Sequence, residues 1–209
     1  MSTNALNGQT VRADGLRRGR RLERLTISWN LLEAIVGIGA GVAAGSPSLI
    51  GFGFDSLIES SSGAAVLWRL HSDENAERRE QIALRMVGGS FLLLAVYIGF
   101  DAVKSLITRE SPEASYVGIA LAALSLVVMP LLARAKRRVA AIIDSRALEA
   151  DSRQTDICAY LSVILLAGLG LNALFGWWWA DPVTALVMLP IIVKEGIEAL
   201  RGETCDDCH

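Results

Sequence analysis

The feature that most constrains this chain is a succession of apolar runs, most of them about 17 to 25 residues long. That is the length a helix needs to cross ~30 Å of hydrocarbon. The runs fall at 25–44, 48–68, 84–107, 114–133, 141–175 and 180–200. Composition points the same way. Hydrophobic residues make up 52% of the 209 positions and charged residues 20%, the latter below the roughly 25% of a soluble domain. The expected fold is all-α: a polytopic membrane protein of six transmembrane helices with the lipid bilayer as its solvent. A basic N-terminal arm over 1–23, disordered or interfacial, is expected to precede a six-helix membrane domain over 24–201, followed by a short Cys/His-containing tail over 202–209. The arm has no apolar signal core, so no cleaved secretion signal is visible. A secreted enzyme, a nucleic-acid binder and a disulfide-stapled fold are disfavoured. Three cysteines, one inside a span and two at the C-terminal end, suggest metal or thiol chemistry instead.

Local signals punctuate the runs. Ala44-Gly45-Ser46-Pro47 reads as a tight turn between the first two spans. Pro130 and Pro190 fall inside spans, where proline is tolerated and kinks the helix. Asp181-Pro182 opens the sixth span as a helix start, and Trp177-Trp178-Trp179 just before it forms an aromatic belt at a membrane interface. Basic residues set the orientation. Arg12, Arg17, Arg18, Arg20, Arg21 and Arg24 precede the first span, Arg69, Arg78, Arg79 and Arg85 surround the loop after the second, and Arg134, Lys136, Arg137 and Arg138 follow the fourth. The other side has only Lys104 and Arg109. Both termini are therefore expected in the cytoplasm, as for an inner-membrane protein.

The spans are not uniformly apolar. A carboxylate at the centre of a span costs about 2.5–3.5 kcal/mol on insertion scales, so each one needs a reason. The second span contains GFGFDSLIESSSG, which places Asp55 and Glu59 one helical turn apart on one face. By helical rise from Pro47 they lie roughly 12 and 18 Å deep. Two acids this close favour a proton or a cation between them. In the fifth span, EADSRQTDICAYLS puts Asp151, Gln154, Thr155, Cys158 and Ser162 within one stripe about 100° wide, with Asp156 off it. That stripe must face protein or water. Asp55, Glu59, Gln154 and Cys158 then make a natural four-coordinate metal site, with Asp151, Glu33 and Asp156 as accessory candidates. Cys158 as a small core residue and Gln154 as an interhelical hydrogen-bonder stay open alternatives. Glu33 fits either cavity lining or structure, and Asp101 fits pairing with Lys104 one turn away.

On these residues the chain resembles the cation diffusion facilitator family of divalent-metal/proton antiporters, through SLIGFGFDSLIESSSGAAVLWRL in the second span and GWWWADPVTAL leading into the sixth. The resemblance implies a cation-efflux transmembrane bundle whose transport site pairs Asp-x3-Asp with His-x3-Asp. Asp55 and Glu59 take the first pair. Gln154 and Cys158 take the second, or Ser152 and Asp156 in a register shifted by two residues. Either choice departs from the family's histidine. The short tail suggests a truncated type without the family's cytoplasmic domain, so that any homodimer would be held by membrane helices.

The resemblance implies export of cytoplasmic metal in exchange for protons. Acids and a thiol bind metal only when deprotonated, so metal and proton compete for them. Thiolate with oxygen ligands suits Zn2+ best, then Cd2+, with Fe2+ and Mn2+ as further candidates. No prosthetic group and no enzymatic activity are expected, since His71 and His209 are the only histidines. The tail residues Cys205, Cys208 and His209 form half a zinc site and suit a metal-delivery role. His71, Asp73, Glu74 and Glu77 read as a solvated loop cluster. The competing reading is a metal-binding or regulatory membrane protein of the same fold that moves no ions.

Overall fold

A computed structural model describes residues 2–69, 76–109 and 112–201. The tail residues Cys205, Cys208 and His209, and the loop residues His71, Asp73 and Glu74, lie outside the described residues. Six helices follow one another: α1 (Ser2–Ala44), α2 (Pro47–Arg69), α3 (Ala76–Thr108), α4 (Tyr116–Ile143), α5 (Arg146–Phe175) and α6 (Ala180–Arg201). Among the described residues, three stretches are long and apolar enough to cross a membrane, Arg12–Ala44, Tyr116–Ile143 and Asp151–Phe175. The distribution of side chains is that of a protein dissolved in lipid. Ile35, Leu93, Phe100, Ile107 and Leu174 point outward, while Asn30, Glu33, Glu59, Lys136 and Asp181 are buried. Water would favour the reverse arrangement.

Helix α2 is the hub, packing against α1, α3, α5 and α6. Glycine brings α1 and α2 together. A Cβ added at Gly53 would lie 2.7 Å from the backbone nitrogen of Ile38, and one at Gly41 would lie 2.8 Å from that of Ile50. Neither position has room for a side chain, so the two backbones touch as small residues allow in membrane bundles. The turn between them is tight. Gly45 takes the left-handed conformation with φ 62°, and Ser46 N donates to Gly41 O at 2.9 Å. The start of α6 is tied to this turn, because the hydroxyls of Ser46 (2.7 Å) and Ser48 both donate to Asp181 Oδ1. The principal core runs through Leu49, Phe52, Leu161, Leu165, Leu169 and Met188.

Four sequence expectations change. Helix α3 begins at Ala76 rather than 84, so Glu77, Arg78 and Arg79 are helical and not part of a loop. Residues 2–23 are not a loose arm; they continue α1, and Leu16 and Leu22 pack on a second small core of Val66, Val139, Ala140, Ile143 and Leu148. Helix α4 does not stop at 133 but runs on to Ile143. Arg134, Lys136, Arg137 and Arg138 are therefore helical, and the reversal into α5 is only Asp144 and Ser145. Asp144 takes φ 52° at the C-cap, a conformation aspartate tolerates better than most residues, and Ser145 caps α5 by accepting from Leu148 N at 3.4 Å. Helix α5 accordingly starts at Arg146 rather than 141.

The glycine contacts give a direct test of the packing. Gly53→Ala should destabilise by about 1–3 kcal/mol through overpacking. Gly39→Ala, where nothing lies within 4 Å of an added Cβ, should leave the melting temperature of the detergent-solubilised protein unchanged or slightly raised.

Candidate metal pathway

On α2 the fold buries both acids: Asp55 is 7% exposed and Glu59 1%. Ser56 lies between them, and its hydroxyl contacts Glu33 Oε2 at 3.0 Å. Trp29 Nε1 donates to Glu33 Oε1 at 2.5 Å. Both oxygens of Glu33 are thus engaged, and Glu33 ties α1 to α2. Such partners are what make an intramembrane carboxylate tolerable.

On α5 the expected polar stripe faces inward. Asp151, Thr155, Cys158 and Ser162 are buried, and Gln154 is half-buried on the flank of the stripe. Thr155 Oγ1 donates to Glu59 Oε1 at 2.7 Å, joining α5 to α2. The Cys158 thiol lies within the electrostatic reach of Glu59, Glu33 and Asp55. The structure therefore brings Asp55, Glu59 and Cys158 to one level of the bundle. It does not pre-assemble them: among the described residues no three His, Cys, Asp or Glu side chains are gathered tightly enough to hold an ion. The shifted register places its two residues differently. Asp156 sits at the bundle surface, paired with the half-exposed Arg137, and the Ser152 hydroxyl donates to Glu149 O at 2.6 Å within its own helix.

A further polar cluster centres on Lys136, which counted only toward orientation in the sequence. Its ammonium is fully buried and ion-paired with Asp151 and, at 3.4 Å, with Glu23 Oε2. It also reaches Thr155 Oγ1 at 3.3 Å, the same hydroxyl that contacts Glu59. Ser62 of α2 approaches Asp151 Oδ1 at 3.5 Å. A continuous polar seam thus runs from Glu23 on α1 through Lys136 on α4 and Asp151 and Thr155 on α5 to Glu59 on α2. Periodicity could have found it. The buried face of α4 includes Ser125, Met129, Ala133 and Lys136, successive positions three or four residues apart. On α1 the buried series Glu23, Thr26, Asn30, Glu33 follows the same rule.

The model of the cation efflux transmembrane domain matches residues 24–203. The chain belongs to the cation-efflux family. Among its relatives is transmembrane protein 163 of Xenopus laevis, 28% identical over 188 residues, covering 86% of this chain and 67% of that protein. An uncharacterized transporter of Synechocystis sp. is 28% identical over 177 residues, covering 78% and 56%. The cation-efflux pump FieF of Shewanella oneidensis is 26% identical over 113 residues, covering 54% and 36%. The chain thus spans from about a third to two thirds of the length of these relatives.

Thr155 is the joint of the seam. Thr155→Val keeps the shape but leaves a buried Glu59 oxygen without its donor, which should cost about 1–3 kcal/mol, whereas Thr155→Ser should retain most of the stability. Thermal unfolding of the two purified variants against wild type checks this.

Proposed function

We propose that this chain moves divalent metal cations, Zn2+ foremost, out of the cytoplasm in exchange for protons, with Asp55, Glu59 and Cys158 as the groups that meet the ion and Gln154 at the edge of the site. The observation that carries this reading is the burial of an i,i+4 acid pair on α2 at the level of a thiol and a hydroxyl on α5, inside a bundle of the cation-efflux family. Carboxylates at membrane depth are costly and mark ion pathways. Asp55 and Glu59 offer oxygen and Cys158 offers sulfur, a mixed set that suits Zn2+ or Cd2+ better than Mg2+ or Ca2+.

The same groups account for proton coupling. Each binds metal only after losing its proton, so a proton arriving from one side expels the ion and the proton's departure on the other side lets the next ion bind. Alternation requires the helices to rock about this level. The contact of α1 and α2 through Gly37, Gly41 and Gly53 lets these two helices move as a pair against α4 and α5. We further propose that both termini face the cytoplasm of an inner-membrane protein, that the chain acts as a homodimer joined by membrane helices, and that the Cys205, Cys208 and His209 tail delivers metal. The second reading, metal binding without ion turnover, draws support from Lys136, because the seam already carries a cation of its own.

Proteoliposomes holding the purified chain should accumulate Zn2+ under an imposed pH gradient. Asp55→Ala should lower uptake at least about tenfold, as loss of a metal-binding group does, and Asp156→Asn should leave it unchanged. Equal flux in Asp55→Ala and wild type would remove the site assignment, and metal binding without gradient-driven flux would establish the second reading.

A further inference from the structure

Four helices meet at one ammonium. Lys136 of α4 is held by Asp151 of α5 and Glu23 of α1, and it shares the Thr155 hydroxyl with Glu59 of α2. All these side chains are at most 2% exposed, so no solvent ion screens them. Acids outnumber bases in this cluster. Three buried carboxylates, Glu23, Asp151 and Glu59, face a single lysine, and Glu23 Oε1 and Glu59 Oε2 accept no hydrogen bond. Along α5 the lysine's anchor Asp151 lies about 6 Å by helical rise from Thr155 and about 10 Å from Cys158. The ammonium, 3.3 Å from the Thr155 hydroxyl that bonds Glu59, therefore adjoins the proposed metal level on the side of its anchor Asp151. Space for this arrangement is made by Gly63, where an added Cβ would come within 3.1 Å of Glu23 Oε2.

We propose that Lys136 is a tethered counter-cation that occupies the approach to the metal site, and that a metal ion reaches Glu59 from the basic end of the bundle only when the ammonium leaves Asp151 and Glu23. This rests on the reading of Asp55, Glu59 and Cys158 as the metal groups. A lysine in this position does what a bound ion would do: it neutralises acids that would otherwise repel one another and hold α1 and α5 apart. Unlike a diffusing ion, it cannot be carried across. It is released by rotation of its own four-carbon side chain, and the acids it leaves form a transient acceptor for the incoming metal. Metal and ammonium thus compete for the same anions, and the ion pair across α1, α4 and α5 acts as a latch.

The test is Zn2+ binding to the full chain in lipid nanodiscs by equilibrium dialysis at fixed pH. A merely structural lysine would weaken binding when lost; the latch predicts the reverse. Lys136→Met should bind Zn2+ at least about tenfold more tightly, or bind a further ion per chain. Lys136→Arg, which keeps the charge, should stay close to wild type. The gain should vanish in Lys136→Met/Glu23→Gln/Asp151→Asn. Unchanged or weaker binding by a well-dispersed Lys136→Met protein would overturn the proposal. Should that variant not fold, Gly63→Ala displaces Glu23 without altering charge and should tighten binding about twofold or more, and no gain there would overturn it equally. Asp55→Ala separates the two levels. If it leaves wild-type binding untouched, the metal-site reading fails, and a gain in Lys136→Met that still requires Glu23 and Asp151 then shows the latch acids binding metal by themselves.

Discussion

The structure depends on one constraint: ionic groups placed at membrane depth must find their partners in protein. Hydrocarbon offers no hydrogen bonds, and an ion stripped of water without a partner is several kcal/mol out of place. This chain answers by gathering its acids on the inward faces of α1, α2 and α5 and by lending them hydroxyls and one ammonium. Glu33 receives Trp29 and Ser56, Asp181 receives Ser46 and Ser48, and Asp151 receives Lys136. The outward faces remain free to be apolar. Helix order and helix contacts follow from closing this polar interior.

Partnering is uneven along the interior. Both oxygens of Glu33 are engaged, by a hydroxyl and an indole, which locks α1 to α2, whereas Asp181 takes two hydroxyls on Oδ1, locking the first turn to α6, and its Oδ2 has no donor. Glu59 has one oxygen held by Thr155 and the other without a donor, and Cys158 lies close by. A group left half-satisfied at depth is costly unless a proton or a metal completes it in part of a working cycle. The α1–α2 pair, in backbone contact at its glycines, would provide one side for the cycle proposed above. The α4–α5 pair, joined by a two-residue reversal, provides the opposing side.

Much of this was legible before any coordinates. The length of the apolar runs gave the six helices, the i,i+4 spacing put Asp55 and Glu59 on one face, and 100° periodicity separated Cys158 and Thr155 from Asp156, which the structure places with Arg137 at the surface. What escaped had a common cause. Basic residues mark loops and sidedness in a sequence, which ends α4 at 133 and begins α1 at 25. Lys136 and Glu23 are charged, yet they continue the buried series of their helices. Periodicity carried across the apparent boundary would have turned both inward. Pairing between α1, α4 and α5 is a tertiary fact, and no single stretch of sequence encodes it.

The central claim is that α2 and α5 present acids and sulfur to one shared ion. It is tested most directly by Cd2+ titration of the full chain in nanodiscs with Cys205→Ser and Cys208→Ser, which leaves Cys158 as the single thiol. The account predicts a sulfur-to-cadmium charge-transfer absorption that saturates near about one ion per chain and disappears when Asp55 is changed to Asn. An absorption that never develops while the same protein still transports cadmium, or one indifferent to Asp55, would contradict it.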